Sequence, residues 1–154
     1  MSDFDKAPNG EVVKKFKLTN SNGLSMEVIN YGAIITNLYV PDSSGSLKDV
    51  VLGFNDFNNY YENNPYFGAI IGRYGNRISN GTFLLDGVSY ELEQNNGPNS
   101  LHGGLVGFDK VFWKFIKEKS NNQSLYLEYY SKDMEEGFPG NLIVGVEYSL
   151  NDFN

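Results

Sequence analysis

The sequence has no cysteine. That absence removes disulfides, thiolate metal ligands and a thiol nucleophile together, and it suits a reducing compartment. A single histidine in 154 residues is too few for an imidazole-based metal site, and no calcium-loop spacing occurs. No metal site is therefore predicted. Basic residues are scarce, with 12 Lys and Arg against 19 Asp and Glu, a formal charge of −7. With no Lys/Arg cluster, nucleic acid and anionic membrane surfaces are not expected partners. Long apolar runs are missing as well; residues 67–71, among the longest, fall far short of a bilayer span. The start, Met1-Ser2-Asp3-Phe4-Asp5-Lys6, is polar and charged, unlike a secretory leader. Together these absences predict a cytoplasmic protein.

What is present favours β-structure. The 17 glycines, 11 tyrosines and 11 phenylalanines fall into short apolar runs separated by turn residues. An aromatic content of 15% reads first as a β-sandwich core and only second as a surface for stacking sugars. Residues 1–10 form a loose lead-in. A hairpin follows, from residues 12–18 to the alternating Met26 and Val28, and a third strand covers 33–40 before a Pro41-led turn. Val50-Val51-Leu52 reads as short and buried. Residues 55–65, rich in amides and tyrosine, read as a loop with one helical turn, and 66–71 as an apolar strand. The sequence from Thr82 to Leu92 is a hairpin with a type I′ turn at Asp86-Gly87. Strands over 111–116, around Leu125, Leu127 and Tyr129, and over 142–150 complete the chain. Without a sustained helical period, a repeat or a low-complexity block, the prediction is one all-β domain. The long last strand has no partner following it, so an open sheet edge is expected, a site for self-association or for docking a missing segment.

The chemistry concentrates in two loops. Asn95-Asn96-Gly97-Pro98-Asn99-Ser100-Leu101-His102-Gly103-Gly104 sets the lone imidazole among amides and before two glycines, which let backbone and ligand approach closely. An ordinary surface histidine beside a glycine turn is the competing reading. Gly72-Arg73-Tyr74-Gly75-Asn76-Arg77 places two guanidinium groups in an acidic chain. Arg77 offers a rigid fork of donors for hydroxyl or carboxylate oxygens, with a structural tie between loops as its alternative. For Arg73 the structural tie is favoured. Glu135-Glu136 is a potential acid or base, but adjacent residues of a strand face opposite ways, and solvated charge is the favoured reading. A makeshift acid–base pair of His102 with Glu135 or Glu136 has no sequence feature to place it. Amide, guanidinium and imidazole beside apolar surface are what a neutral polyol requires.

At these residues the sequence resembles the aldose 1-epimerase (galactose mutarotase) family. The matching stretches are Asn30-Tyr31-Gly32-Ala33, Val50-Val51-Leu52-Gly53-Phe54, Asn64-Pro65-Tyr66-Phe67-Gly68, Gly72-Arg73 through Asn76-Arg77-Ile78, the His102 loop, Gly107-Phe108-Asp109-Lys110, and Glu135-Glu136-Gly137-Phe138-Pro139-Gly140. The resemblance implies a galactose mutarotase-like β-supersandwich, with residues 1–154 the N-terminal portion of a single domain. It also implies cofactor-free interconversion of the α and β anomers of aldohexoses such as galactose or glucose, by general acid–base chemistry. Asn76, Arg77 and His102 match the family's sugar-binding positions. The family's acid, a second histidine, and its base, a glutamate, belong to segments with no counterpart here. No catalytic residue is therefore assigned, and the 154 residues are expected to be inactive alone. The alternative is a non-catalytic carbohydrate-binding or interaction module derived from a mutarotase.

Overall fold

A computed structural model describes residues 1–63 and 65–153. Five strands, β1 (Ser2–Lys6), β2 (Val12–Thr19), β3 (Ser25–Ile29), β4 (Ile35–Pro41) and β5 (Leu47–Asp49), form an antiparallel sheet in sequential order. The helix α1 (Phe57–Asn63) follows. Two short pairs come next, β6 (Arg77–Ile78) with β9 (Ser100–Leu101) and β7 (Thr82–Leu85) with β8 (Val88–Glu91). A second sheet contains β10 (Lys114–Phe115), β11 (Ser124–Ser131) and β12 (Leu142–Ser149) in that order. The architecture is all-β, as predicted.

The first sheet is covered on both faces, and alternation along β2 and β3 explains how. Phe16, Leu18, Met26 and Val28 point to one side, where they meet Trp113, Phe108, Leu125 and Leu127. Val13 and Ile29 point to the other and pack with Tyr31, Ile34 and α1 through Phe57 and Tyr60. Long-range polar ties close the structure. The Tyr148 hydroxyl donates to the Ala33 carbonyl at 2.7 Å, and the Asn20 amide donates to Asn151 O at 2.8 Å. Burial of Tyr148 raises its phenol pKa far above the ordinary value.

The predicted hairpins hold. β2 and β3 pair as expected, and the β7–β8 turn has Asp86 at φ 52° and Gly87 at φ 79°, the two left-handed residues a type I′ turn demands. Several local expectations do not. The loose lead-in over residues 1–10 is instead an edge strand, β1, paired with β2 and seated by Phe4 against the second core and the Lys15 ammonium. Val50 and Leu52 are 58% and 72% exposed rather than buried. Asp49 Oδ1 accepts the N–H groups of Leu38 and Val51, and these bonds turn the chain outward after β5. Residues 55–65 hold a longer helix than one turn; Asn64, in the predicted loop and in the family motif, lies outside the described residues, as does Asn154. Residues 66–71 are not a strand. Tyr66 and Gly68 take φ 67° and 64°, so the segment is knitted to the start of β4 and the turn before it by single bonds, Ile35 N–H to Gly68 O and Ile70 N–H to Gly32 O, each 3.0 Å. The strand predicted over 111–116 shrinks to β10, because Phe112 bridges to Tyr31 and Trp113 N–H goes to Asn30 O.

Candidate functional site

The two loops singled out from sequence meet. Pairing of β6 with β9 sets Arg77 opposite Leu101 and Ile78 opposite Ser100, which puts Asn76 beside His102. The two residues bond twice. His102 N–H donates to Asn76 O at 3.0 Å, and Asn76 N–H donates to His102 Nδ1 at 2.9 Å. An Nδ1 that accepts must carry its proton on Nε2, so His102 presents an Nε2–H donor. The ring edge rests on Tyr66, with centroids 4.7 Å apart. Asn76, His102 and Tyr66 all take left-handed backbone, at φ 69°, 56° and 67°. Such conformations cost about 1 kcal/mol or more each in non-glycine residues, and strain of this kind gathers at binding sites.

Arg77 is exposed beside them. Its Nε donates to Asn96 Oδ1 at 2.8 Å and one terminal nitrogen to Asn76 Oδ1 at 3.3 Å, so the fork is aimed but not fully occupied. It lines a cleft of about 480 Å³ together with Tyr74, Ile78, Phe83, Phe138 and Arg73; His102 sits at the neighbouring loop and is not part of that lining. Arg73 has the structural role favoured from sequence. It donates to Ser131 Oγ, Ser131 O, Lys132 O and Pro139 O at 2.8–3.1 Å and so ties the residue 131–140 turn to the cleft.

Glu135 and Glu136 are not solvated charges, contrary to expectation. Glu135 accepts the Tyr129 hydroxyl at 2.6 Å and a short bond from Ser131 Oγ. Burial first, and that carboxylate second, raise the Tyr129 pKa strongly. Glu136 Oε2 accepts Leu105 N–H at 2.6 Å. The strand rule that limited this pair to one inward side chain does not apply, since Glu136 has φ 50° and lies in a turn. Sequence reasoning also missed Tyr66, Phe83 and Phe138. The aromatic content was the available signal, but only tertiary contacts separate core rings from cleft rings.

Asp109, in the turn Phe108–Lys110, is 3% exposed. Its Oδ2 pairs with Lys110 Nζ at 3.4 Å, while Oδ1 has no hydrogen-bond partner among the described residues. Burial raises its pKa above the ordinary aspartate value against the opposing pull of Lys110. A carboxyl with a raised native pKa binds its proton more tightly folded than unfolded, so stability declines as pH rises from the ordinary aspartate range through the raised value. Asp109→Asn is expected to flatten that decline and to be at least as stable as the parent at neutral pH. Urea denaturation across acid to neutral pH would read it, and an unchanged slope would refute it.

No group of three or more metal-capable side chains converges among the described residues, and none of their helices is long and apolar enough to cross a membrane.

Comparison with known proteins gives the family and the fold. The family model described as aldose 1-epimerase matches residues 14–154. Galactose mutarotase from Sus scrofa is 47% identical over 151 residues, 97% of this chain and 43% of that protein. Aldose 1-epimerase from Escherichia coli K12 is 36% identical over 148 residues, 96% of this chain and 42% of that protein. The chain thus spans less than half the length of the curated relatives it matches. Among solved structures, an aldose epimerase homologue from C. elegans superposes with a TM-score of 0.85 at 31% identity, covering 91% of this chain and 42% of the other. Galactose 1-epimerase from Lactobacillus acidophilus shares the fold with a TM-score of 0.80 at 24% identity, covering 97% of this chain and 43% of the other. With the family model matching residues 14–154, the chain belongs to the aldose 1-epimerase family.

Proposed function

We propose that Asn76, Arg77 and His102 form the sugar-gripping part of an aldose 1-epimerase site that takes an aldohexose such as galactose or glucose. In the full-length form, that site interconverts α and β anomers: a base removes the anomeric hydroxyl proton while an acid protonates the ring oxygen, and the open aldehyde recloses on either face. The observation that carries the reading is the pair of hydrogen bonds between Asn76 and His102 beside Arg77. It fixes an imidazole donor and a guanidinium fork in one small region, as holding a ring and its hydroxyls requires.

Residues 1–154 act as one portion of that domain in a cytoplasmic setting, and they lack the proton-transfer pair. The lone histidine has Nδ1 engaged by Asn76, and Glu135 and Glu136 are engaged by Tyr129, Ser131 and the Leu105 amide. A non-catalytic carbohydrate-binding role is the second reading, favoured by the same engaged groups. Self-association would run through β12, which has β11 on one side only and carries Ile143 at 67% exposure.

Titration with galactose, followed by amide NMR, is expected to shift Asn76, Arg77 and His102 at millimolar sugar. Arg77→Ala should weaken binding at least tenfold, the loss expected when charge-assisted hydrogen bonds to hydroxyls go. Polarimetry on fresh α-galactose should show no rate above buffer. Acceleration that disappears in His102→Ala would refute the inactivity of this chain, and absent shifts at the three residues would refute the site.

A further inference from the structure

We infer that Glu136 is a positioning residue for His102, acting with Lys110 as a two-sided clamp on the Leu105 peptide. This rests on the reading of His102 as a sugar contact, but its geometry stands apart from any ligand. His102, Gly103 and Gly104 take three successive left-handed conformations, at φ 56°, 98° and 105°. Such a run has little intrinsic preference to persist, so something outside it must hold it.

Asn95 spans the run: its side chain accepts Leu101 N–H at 2.7 Å and donates to Leu101 O and Gly104 O at 2.8 and 2.6 Å. The C-terminal side is held by opposite charges at Leu105. Glu136 Oε2 takes the N–H at 2.6 Å, and Lys110 Nζ donates to the C=O at 3.0 Å. Charge-assisted bonds of this kind are about twice as strong as neutral ones. Gly104 lets the carboxylate in, since a Cβ there would overlap Oε2. Glu136 is itself braced: its C=O accepts Glu93 N–H at 3.3 Å, and Gly137 packs on the Glu91 carbonyl. The same turn supplies Phe138 to the cleft. One turn thus sets both a wall of the cleft and the loop that aims the imidazole. The clamp keeps His102 Nδ1 on the Asn76 N–H, which leaves Nε2 to carry the proton.

The lone histidine makes the test unambiguous, because its two ring nitrogens give the only imidazole signals in a ¹⁵N spectrum of the chain. In the parent, they should show a single Nε2–H tautomer. Glu136→Ala should move them towards tautomer averaging and shift the Asn76 amide, whereas Glu136→Gln, which keeps an acceptor oxygen, should restore the parent pattern. A folded Glu136→Ala with unchanged ring nitrogens and Asn76 amide would overturn the proposal. Should that variant not fold, hydrogen exchange in the parent decides. The Asn76 and Leu105 amides should share one opening event with equal protection, and independent exchange would overturn the clamp. Neither readout needs a sugar, so failure of galactose binding alone would strike the proposed site and leave the clamp intact.

Discussion

Trp113→Ala is expected to lower the unfolding free energy by about 3–5 kcal/mol, a large share of the roughly 5–15 kcal/mol typical of a natural domain. Trp113 is 2% exposed and lies at the meeting point of the two sheets. Its ring stands edge-on to Phe108, with centroids 5.8 Å apart at 87°, and lies 5.7 Å from Tyr129. Its Nε1–H donates to Phe108 O at 3.1 Å, so truncation leaves a cavity and an unpaired buried carbonyl together. Phe108 begins the turn that carries Asp109 and Lys110, and the damage should extend to the His102 loop. Urea unfolding would show a midpoint shift at nearly constant slope; a loss under 1 kcal/mol would mean that the sheets are joined elsewhere.

Gly103→Ala should have the largest effect on the site. Gly103 takes φ 98°, a backbone that L-residues rarely adopt, and an added Cβ would overlap the Gly72 carbonyl oxygen. Backbone, not a flexible side chain, is the obstacle, so the loop must move. A cost of about 2–4 kcal/mol is expected from strain and steric conflict together, with loss of the galactose-induced shifts at His102. Gly97→Ala is the control: it also has positive φ, at 59°, but no atom lies within 4 Å of the added Cβ. That variant should lose only about 1 kcal/mol and keep its sugar response. Thermal melts of the two, read beside the galactose titration, separate strain from collision; equal behaviour would refute the close approach of Gly103 to Gly72.

Local rules were readable from sequence wherever one residue type answers one backbone demand. Asp86-Gly87 is the clearest case, since few other pairs tolerate two left-handed residues in a row. Arg73 was also readable in part, as an arginine in a glycine-rich turn beside a buried segment. The apolar run at 66–71 misled because hydrophobicity reports burial and not extension; half-buried loops packed on β4 satisfy it equally well. Val50 and Leu52 misled for the opposite reason, as β-branched and aliphatic residues left exposed after Asp49 captured the local amides. The lead-in became β1 because Phe4 found a core to join. At the site, the types were legible but the partnership was not. The β6–β9 pairing is two residues long and leaves no periodicity to detect, yet it sets Asn76 beside His102. Glu135 and Glu136 read as solvated charge from sequence because nothing local shows that the turn folds Glu135 back onto Tyr129 and Ser131 of β11, and the Leu105 amide that donates to Glu136 is 31 positions away.

The bond from Tyr148 to Ala33 spans 115 positions, and Leu125 and Leu127 close a core begun by Phe16 and Leu18. A nascent chain leaving the ribosome would therefore have its first sheet hydrogen-bonded but uncovered on one side while about 75 further residues, from the end of β5 to the start of β11, are being made. Emergence of β11 is the moment at which that bare face gains its lid. Slow codons placed between β5 and β11 would lengthen the interval of exposure, and a chaperone that recognises apolar sheet surface would have its opportunity there.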